Sequence, residues 1–375
     1  MLPFAAVWMT DTGIEPSQVG VIVALPSLLM LLTTVALGRW ADNLNDRRDA
    51  IIRCNIVILA VHLLLFVSST AWLVGIVWVI AGIAMHAKVP ITDAAALRMT
   101  LRSGSDFARV RMFGSIGFVV AIGVAGFSYE RWGIGVFVLG LLLANVLRLI
   151  CARFLPRQPR SPEHAQVQAS DIDIDTDTTQ SLMLPGILLT LFGAALINAS
   201  HAMVYTYGIL LWTEQGMAES TASLAVAIGV VVEVALMWWF RPLTQHLSAR
   251  VCLLCAAGCG VLRWSLLASE TSLLVIFAAQ ALHGITFGIM FLATAGFIAR
   301  RVPEHMGARG QSLFATISTA CMAVATYGAG QLYMGWAASI YWLMAGMCLL
   351  AMICIGLSYR TGIAVQSISD ETQDI

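Results

Sequence analysis

Charge is scarce in this sequence. Only 11% of its 375 residues are Asp, Glu, Lys or Arg, against 59% hydrophobic, and a soluble domain carries about twice that charged share. A set of two or three soluble domains, which the length alone would allow, is thereby excluded. Lysine is nearly absent, Lys88 being the only one. Formal net charge is zero, so the overall balance gives no attraction for nucleic acid. Enzyme motifs are missing too. There is no P-loop, nucleophile elbow, metal-spaced histidine pair or dinucleotide fingerprint, so neither an enzyme nor an ATP-driven pump is expected, and no cofactor or metal. The eight cysteines form no paired set in the polar loops. Cys252, Cys255 and Cys259 share a helical face, but no His or acid joins them, and they read as packing residues. The first ten residues have neither a basic n-region nor a small-residue cleavage site, so no cleavable signal peptide is expected.

What the chain has instead is long apolar runs. Eleven of them, at about 17–38, 50–69, 71–92, 109–128, 132–154, 183–212, 219–240, 249–268, 271–298, 310–333 and 336–358, reach the roughly 20 residues that a bilayer core demands. Leu2–Met9 is apolar but too short to cross. The loops between runs alternate in charge. Arg39, Arg47, Arg48 and Arg53 share one loop, and Arg98, Arg102 and Arg109 the next but one. Arg153, Arg157 and Arg160 follow, then Arg241 and Arg250, then Arg300, Arg301 and Arg309, then Arg360. The intervening loops carry Asp11, Glu15, Glu130, Glu214, Glu219 and Glu270, with Arg131 their one base. By the positive-inside rule the basic loops and the C-terminus are cytoplasmic. The chain is an all-α, multi-pass membrane protein in contact with lipid.

Residues 155–182, with Pro156, Pro159 and Pro162 ahead of the alternating acids Asp171 to Asp177, are too polar to fold alone. They divide the chain into an N-terminal helical bundle, 1–154, and a C-terminal bundle of six helices, 183–358, with a cytoplasmic tail over 359–375. Two six-helix bundles joined by a cytoplasmic linker resemble the major facilitator fold. The loop from Gly38 through Asp42 to Arg47 and Arg48 is similar to that superfamily's signature between its second and third helices, a glycine, an acid four residues on and paired bases. The resemblance gives Gly38, Asp42, Arg47 and Arg48 a cytoplasmic gating role. It also makes Leu2–Met9 the end of a first helix that is otherwise missing, from a misplaced start or a truncation.

Ionisable residues inside apolar spans are expensive and usually mark a transport pathway. Here they are Lys88 and Asp93, Arg111, Glu233, Arg263 and His283. Asp93 and Arg111 have as their structural alternative an ion pair tying two helices together, and Glu233, Arg263 and His283 a structural network. His62, His86 and His201 read as packing residues. Pro90 to Asp93, then Phe107 through Arg111 to Gly114, resembles the lactose permease branch of the superfamily, whose corresponding pair binds substrate. The Arg263-to-His283 spacing matches as well, but Thr286 stands where those symporters place a proton-carrying Glu.

A closer likeness is to the phenylpropionate permease family. Five points carry it: Pro90 with Asp93, Arg111 with Gly114 to Phe118, Val230 to Glu233, Arg263 with Trp264, and His283 with Thr286 to Gly288. The resemblance implies a proton-coupled importer of a small aromatic carboxylate in the bacterial inner membrane, working by alternating access; the chain is expected to act as a monomer. Lys88, Asp93 and Arg111 then bind substrate, while Glu233, Arg263 and His283 couple the proton. A sugar or nucleoside symporter, or a truncated paralogue that transports nothing, stands as the alternative.

Overall fold

Prolines and short polar side chains set where several helices begin. Pro16 opens α2 (Pro16–Asp42) and Pro185 opens α7 (Pro185–Ala199), positions where the missing N–H would have had no helical partner. Asp46 caps α3 (Arg47–Leu63) by accepting the Arg48 amide at 2.9 Å, and Ser248 caps α10 (Ala249–Ser269) by accepting that of Val251 at 3.3 Å. The other helices are α1 (Ala5–Asp11), α4 (Ala71–Ser103), α5 (Phe107–Trp132), α6 (Phe137–Arg153), α8 (Ile209–Glu214) and α9 (Glu219–Thr244). They are followed by α11 (Leu273–Ala281), α12 (Met290–Arg301), α13 (Gly307–Trp336) and α14 (Ile340–Ser358). Two π-helical turns interrupt this pattern, Val204–Gly208 between α7 and α8 and Gly284–Ile289 between α11 and α12.

The computed structural model describes residues 2–44, 46–103, 107–157, 184–244, 247–302 and 307–361. At Gly38, Asp42, Arg47, Asp93 and Arg111 the description covers backbone alone. Most of the 155–182 linker, and the tail beyond residue 361, lie outside the described residues.

Ten stretches among the described residues are long and apolar enough to cross a membrane. The last, Arg309–Ser358, contains both α13 and α14 with a short 3-10 turn between them, so the described residues hold eleven helical segments long and apolar enough to cross, matching the eleven apolar runs. Large side chains such as Leu32, Leu147, Trp238 and Leu274 stand exposed on the outside, where hydrocarbon covers them in a bilayer. Among the described residues every regular element is helical, as expected from the sequence. In the first half α4 packs on α2 and α3, and α3 on α6; in the second, α14 packs on α7 and α10.

The halves meet through α2 against α13 and α5 against α9. Gly20 and Gly330 make the first contact possible, since a Cβ on Gly330 would stand 2.8 Å from the Gly20 Cα and 2.5 Å from the Tyr207 hydroxyl. That hydroxyl donates to the Pro16 carbonyl at 2.8 Å, and the Gln331 amide donates to the Ser17 carbonyl at 3.1 Å. On the other side a Cβ on Gly126 would collide with Ser223, and the Ser220 amide donates to Glu130 at 3.3 Å. Every one of these contacts lies at the helix ends that carry the acidic loops. Small residues let helices approach closely without a hydrophobic driving force, and here they shut the acidic face.

Candidate functional site

Arg263, on α10, has no exposed surface at all. A guanidinium removed from water must spend its donors on acceptors. One terminal nitrogen donates to Thr286 Oγ1 at 2.9 Å and meets His283 Nδ1 at 3.2 Å; the other donates to Gln280 Oε1 at 3.0 Å. Its flat face lies 4.3 Å from the Trp264 ring. All three acceptors are neutral. The balancing charge stands one residue further on: His283 Nε2 is 3.4 Å from Glu233 Oε2.

This geometry assigns protons. Arg263 can only donate, so His283 Nδ1 must accept, and the imidazole proton sits on Nε2, facing Glu233. A neutral ring therefore separates the acid from the base. The hydrogen-bond chain continues from Thr286 to His201 Nε2 at 3.1 Å, and His201 Nδ1 faces the carbonyls of Ile197 and Asn198 at 3.0 and 3.1 Å. Since carbonyls only accept, the His201 proton is on Nδ1, and the Thr286 hydroxyl donates to Nε2. Aromatic rings enclose the relay. Tyr205 stacks on His201 at 5.5 Å and Phe287 on His283 at 5.4 Å, and Trp264, whose Nε1 donates to Ser200 at 2.9 Å, stacks on Tyr341 at 5.9 Å.

Local backbone makes the meeting possible. The π-helical turn Gly284–Ile289 begins directly after His283, and such turns recur at functional sites because they re-aim the side chains around them. A Cβ on Gly284 would stand 3.0 Å from the Glu233 amide nitrogen and 2.7 Å from Leu236. Only glycine there allows α9 near enough for Glu233 to reach His283.

Beside the relay lies a cavity of about 590 Å³ between the halves, within the range of small-molecule sites. Ser27 of α2 and His86 of α4 line it from the first half. Asn198, Phe287, Met290 and Phe291 face them from the second, with Gln311, Ser312, Phe314, Ala315, Ser318, Thr319 and Met322 of α13. It lies toward the basic ends of the helices, away from the closed acidic face. The Asn198 amide donates to Ser318 at 2.7 Å. Phe287 belongs to both places, stacked on His283 and lining the cavity.

The residues singled out by sequence fall into three groups. Glu233, His283 and Arg263 come together, with the imidazole interposed between the two charges. Lys88 is turned toward α3, where its ammonium donates to Asn55 Oδ1 at 2.8 Å. Asp93 lies on α4 and Arg111 on α5; their side chains, with those of Asp42 and Arg47, fall outside the described residues. Arg48 donates to the Arg153 carbonyl at 2.6 Å, tying the start of α3 to the end of α6.

Sequence reasoning passed over several residues. His201 and His86 are not simple packing histidines, since one ends the relay and the other lines the cavity. Gln280 and Thr286 flank His283 at three-residue intervals, a helical-face signal that their lack of charge hid. Arg148 on α6, three residues after the buried Asn145, was missed among the intramembrane charges.

Residues 1–321 match the MFS_1 like family. A probable 3-phenylpropionic acid transporter of Escherichia coli (strain K12) is 28% identical over 361 residues, 94% of this chain and 91% of that one. The maltose permease of Geobacillus stearothermophilus is 22% identical, covering 95% of this chain and 89% of that one. The crystal structure of nucleoside transporter NupG (D323A mutant) superposes with a TM-score of 0.81 at 13% identity, over 96% of this chain and 95% of that one, a likeness of fold. The chain belongs to the MFS_1 like family. It is a secondary transporter of the major facilitator class and not an enzyme.

Proposed function

We propose that this member of the MFS_1 like family is a proton-linked importer of a small aromatic acid, such as a phenylpropionate, in the bacterial inner membrane. One observation carries the proton-coupling part: Glu233, His283 and Arg263 form a buried relay whose imidazole stacks on Phe287 in the cavity wall. Phe287, Phe291 and Phe314 line that cavity, suiting an aryl ring. The relative named for 3-phenylpropionic acid supports the cargo.

In this mechanism the basic loops face the cytoplasm, so the closed acidic face makes the present conformation inward-facing. Arg111 holds the substrate carboxylate and Asp93 orients it. Glu233 takes the proton when the site faces outward. Neutralised, it no longer balances Arg263 through His283, and the halves rock about the site to release proton and substrate inward. The loop of Gly38, Asp42, Arg47 and Arg48 steadies the cytoplasmic side.

A second reading has its own observation. Ser27, Asn198, Gln311, Ser312, Ser318 and Thr319 give the cavity neutral hydroxyl and amide groups, which suit a sugar or nucleoside. The deciding experiment is uptake by proteoliposomes under an inward proton gradient. Labelled 3-phenylpropionate, its amide, a galactoside and a nucleoside are compared. Accumulation of the acid alone, abolished by a protonophore, supports the proposal. Accumulation of sugar or nucleoside instead replaces it with the second reading.

A further inference from the structure

A second set of intramembrane cations lies apart from both relay and cavity, between α3, α4 and α6. Lys88 reaches Asn55 on α3. Arg148 on α6 reaches Asn145 Oδ1 at 3.3 Å and the Met85 sulfur at 3.7 Å, and Met85 lies one turn before Lys88 on α4. His86, which lines the cavity, is two residues from Lys88 and so on another face of α4. The two cations thus stand behind the cavity wall.

The direction of Arg148 is the informative part. It is five residues, or about 7.5 Å of helix rise, from Arg153 at the basic end of α6. A long side chain that close to the interface normally snorkels to the headgroups. Arg148 instead turns toward Asn145 and Met85, deeper in the span. Its acceptors there are an amide oxygen and a thioether, both neutral and the second weak, and part of the residue stays open. Asn145 is only 2% exposed, its oxygen is engaged by Arg148, and its Nδ2 has no hydrogen-bond partner among the described residues. Two cations whose acceptors among the described residues are all neutral therefore stand near a buried amide donor that has no partner among those residues.

We propose that Lys88, Arg148 and Asn145 form a second anion site, between α4 and α6, that takes the carboxylate of a small organic acid. Its ligand class rests on the aromatic-acid reading of the cargo. Arg148 and Lys88 supply charge-assisted hydrogen bonds, and the Asn145 amide fills its missing partner.

Equilibrium dialysis of the purified full chain in uncharged detergent tests this, with radiolabelled benzoate as the probe and benzamide as control. Benzoate should bind in preference to benzamide. Arg148→Gln and Lys88→Gln should each weaken benzoate binding about tenfold or more. Arg148→Lys should recover part of that loss, which separates a charge effect from misfolding. Unchanged benzoate affinity in both glutamine variants overturns the site, as does equal binding of benzamide or no binding of benzoate. Phosphatidylglycerol competing with benzoate in wild type but not in Arg148→Gln would give the site to a lipid phosphate, and that also overturns the carboxylate assignment. The transport reading is judged separately. Arg148-dependent benzoate binding without phenylpropionate uptake keeps this site and removes that reading, whereas uptake with binding indifferent to Arg148 does the reverse.

Discussion

Replacing Glu233 by Gln removes one charge and little else. The amide oxygen of Gln can still accept from His283 Nε2, which now stands 3.4 Å from the carboxylate, so the relay keeps its shape. What it loses is the field at Arg263, which is wholly buried and whose three acceptors are neutral. Across one imidazole the two charges stand roughly 8 Å apart, and at an effective dielectric constant of 20 their attraction is about 2 kcal/mol. That energy shifts a two-state equilibrium about thirtyfold. In the proposed cycle, the variant is locked in the electrostatic state that protonation of Glu233 would produce. Exchange of labelled for unlabelled substrate across proteoliposomes should therefore continue, while accumulation under a proton gradient should vanish. The two assays read the same protein, so a folding defect would lower both. Full accumulation in Glu233→Gln refutes the relay as the coupling device, and equal loss of exchange and accumulation in a variant that melts like the wild type refutes Glu233 as its proton carrier.

Thr286→Val keeps the side-chain shape but strands one Arg263 donor contact and the His201 Nε2 acceptor. About 1–3 kcal/mol of stability should go, read by thermal unfolding, and Thr286→Ser should restore it; equal stability of all three would remove Thr286 from the network. Gly330→Ala should prop open the acidic face, because the added methyl meets the Gly20 backbone at 2.8 Å and overpacking of this kind costs about 1–3 kcal/mol. Its readout is maleimide labelling of Ser223→Cys, a fully buried position, and labelling no faster than in the glycine parent would show that this contact does not hold the face shut. Trp264→Phe should lower the unfolding temperature by removing the indole N–H that the Ser200 hydroxyl accepts at 2.9 Å, the hydroxyl keeping its own bond to the Ile197 carbonyl at 2.7 Å; a melt identical to wild type would mean that Cys348, 3.4 Å from the same hydroxyl, replaces the partner.

The sequence by itself marked the apolar runs long enough to cross a bilayer and showed which helix ends share a face. Hydrocarbon admits only long apolar helices, and loop charge sorts their ends. It also marked Glu233, Arg263 and His283, since ions in that environment stand out whatever their partners. Tertiary structure alone decided who meets whom. Helical period assigns a residue to a face but not to a neighbour. That is why Lys88 was grouped with Asp93 and Arg111 from sequence, yet turns to Asn55 on α3. His201, Gln280 and Thr286 were illegible for a different reason. Neutral polar side chains cost little to place in a helix, and they acquire a role only when Gly284 and the π-helical turn behind it bring α9, α10 and α11 into one cluster around a buried guanidinium.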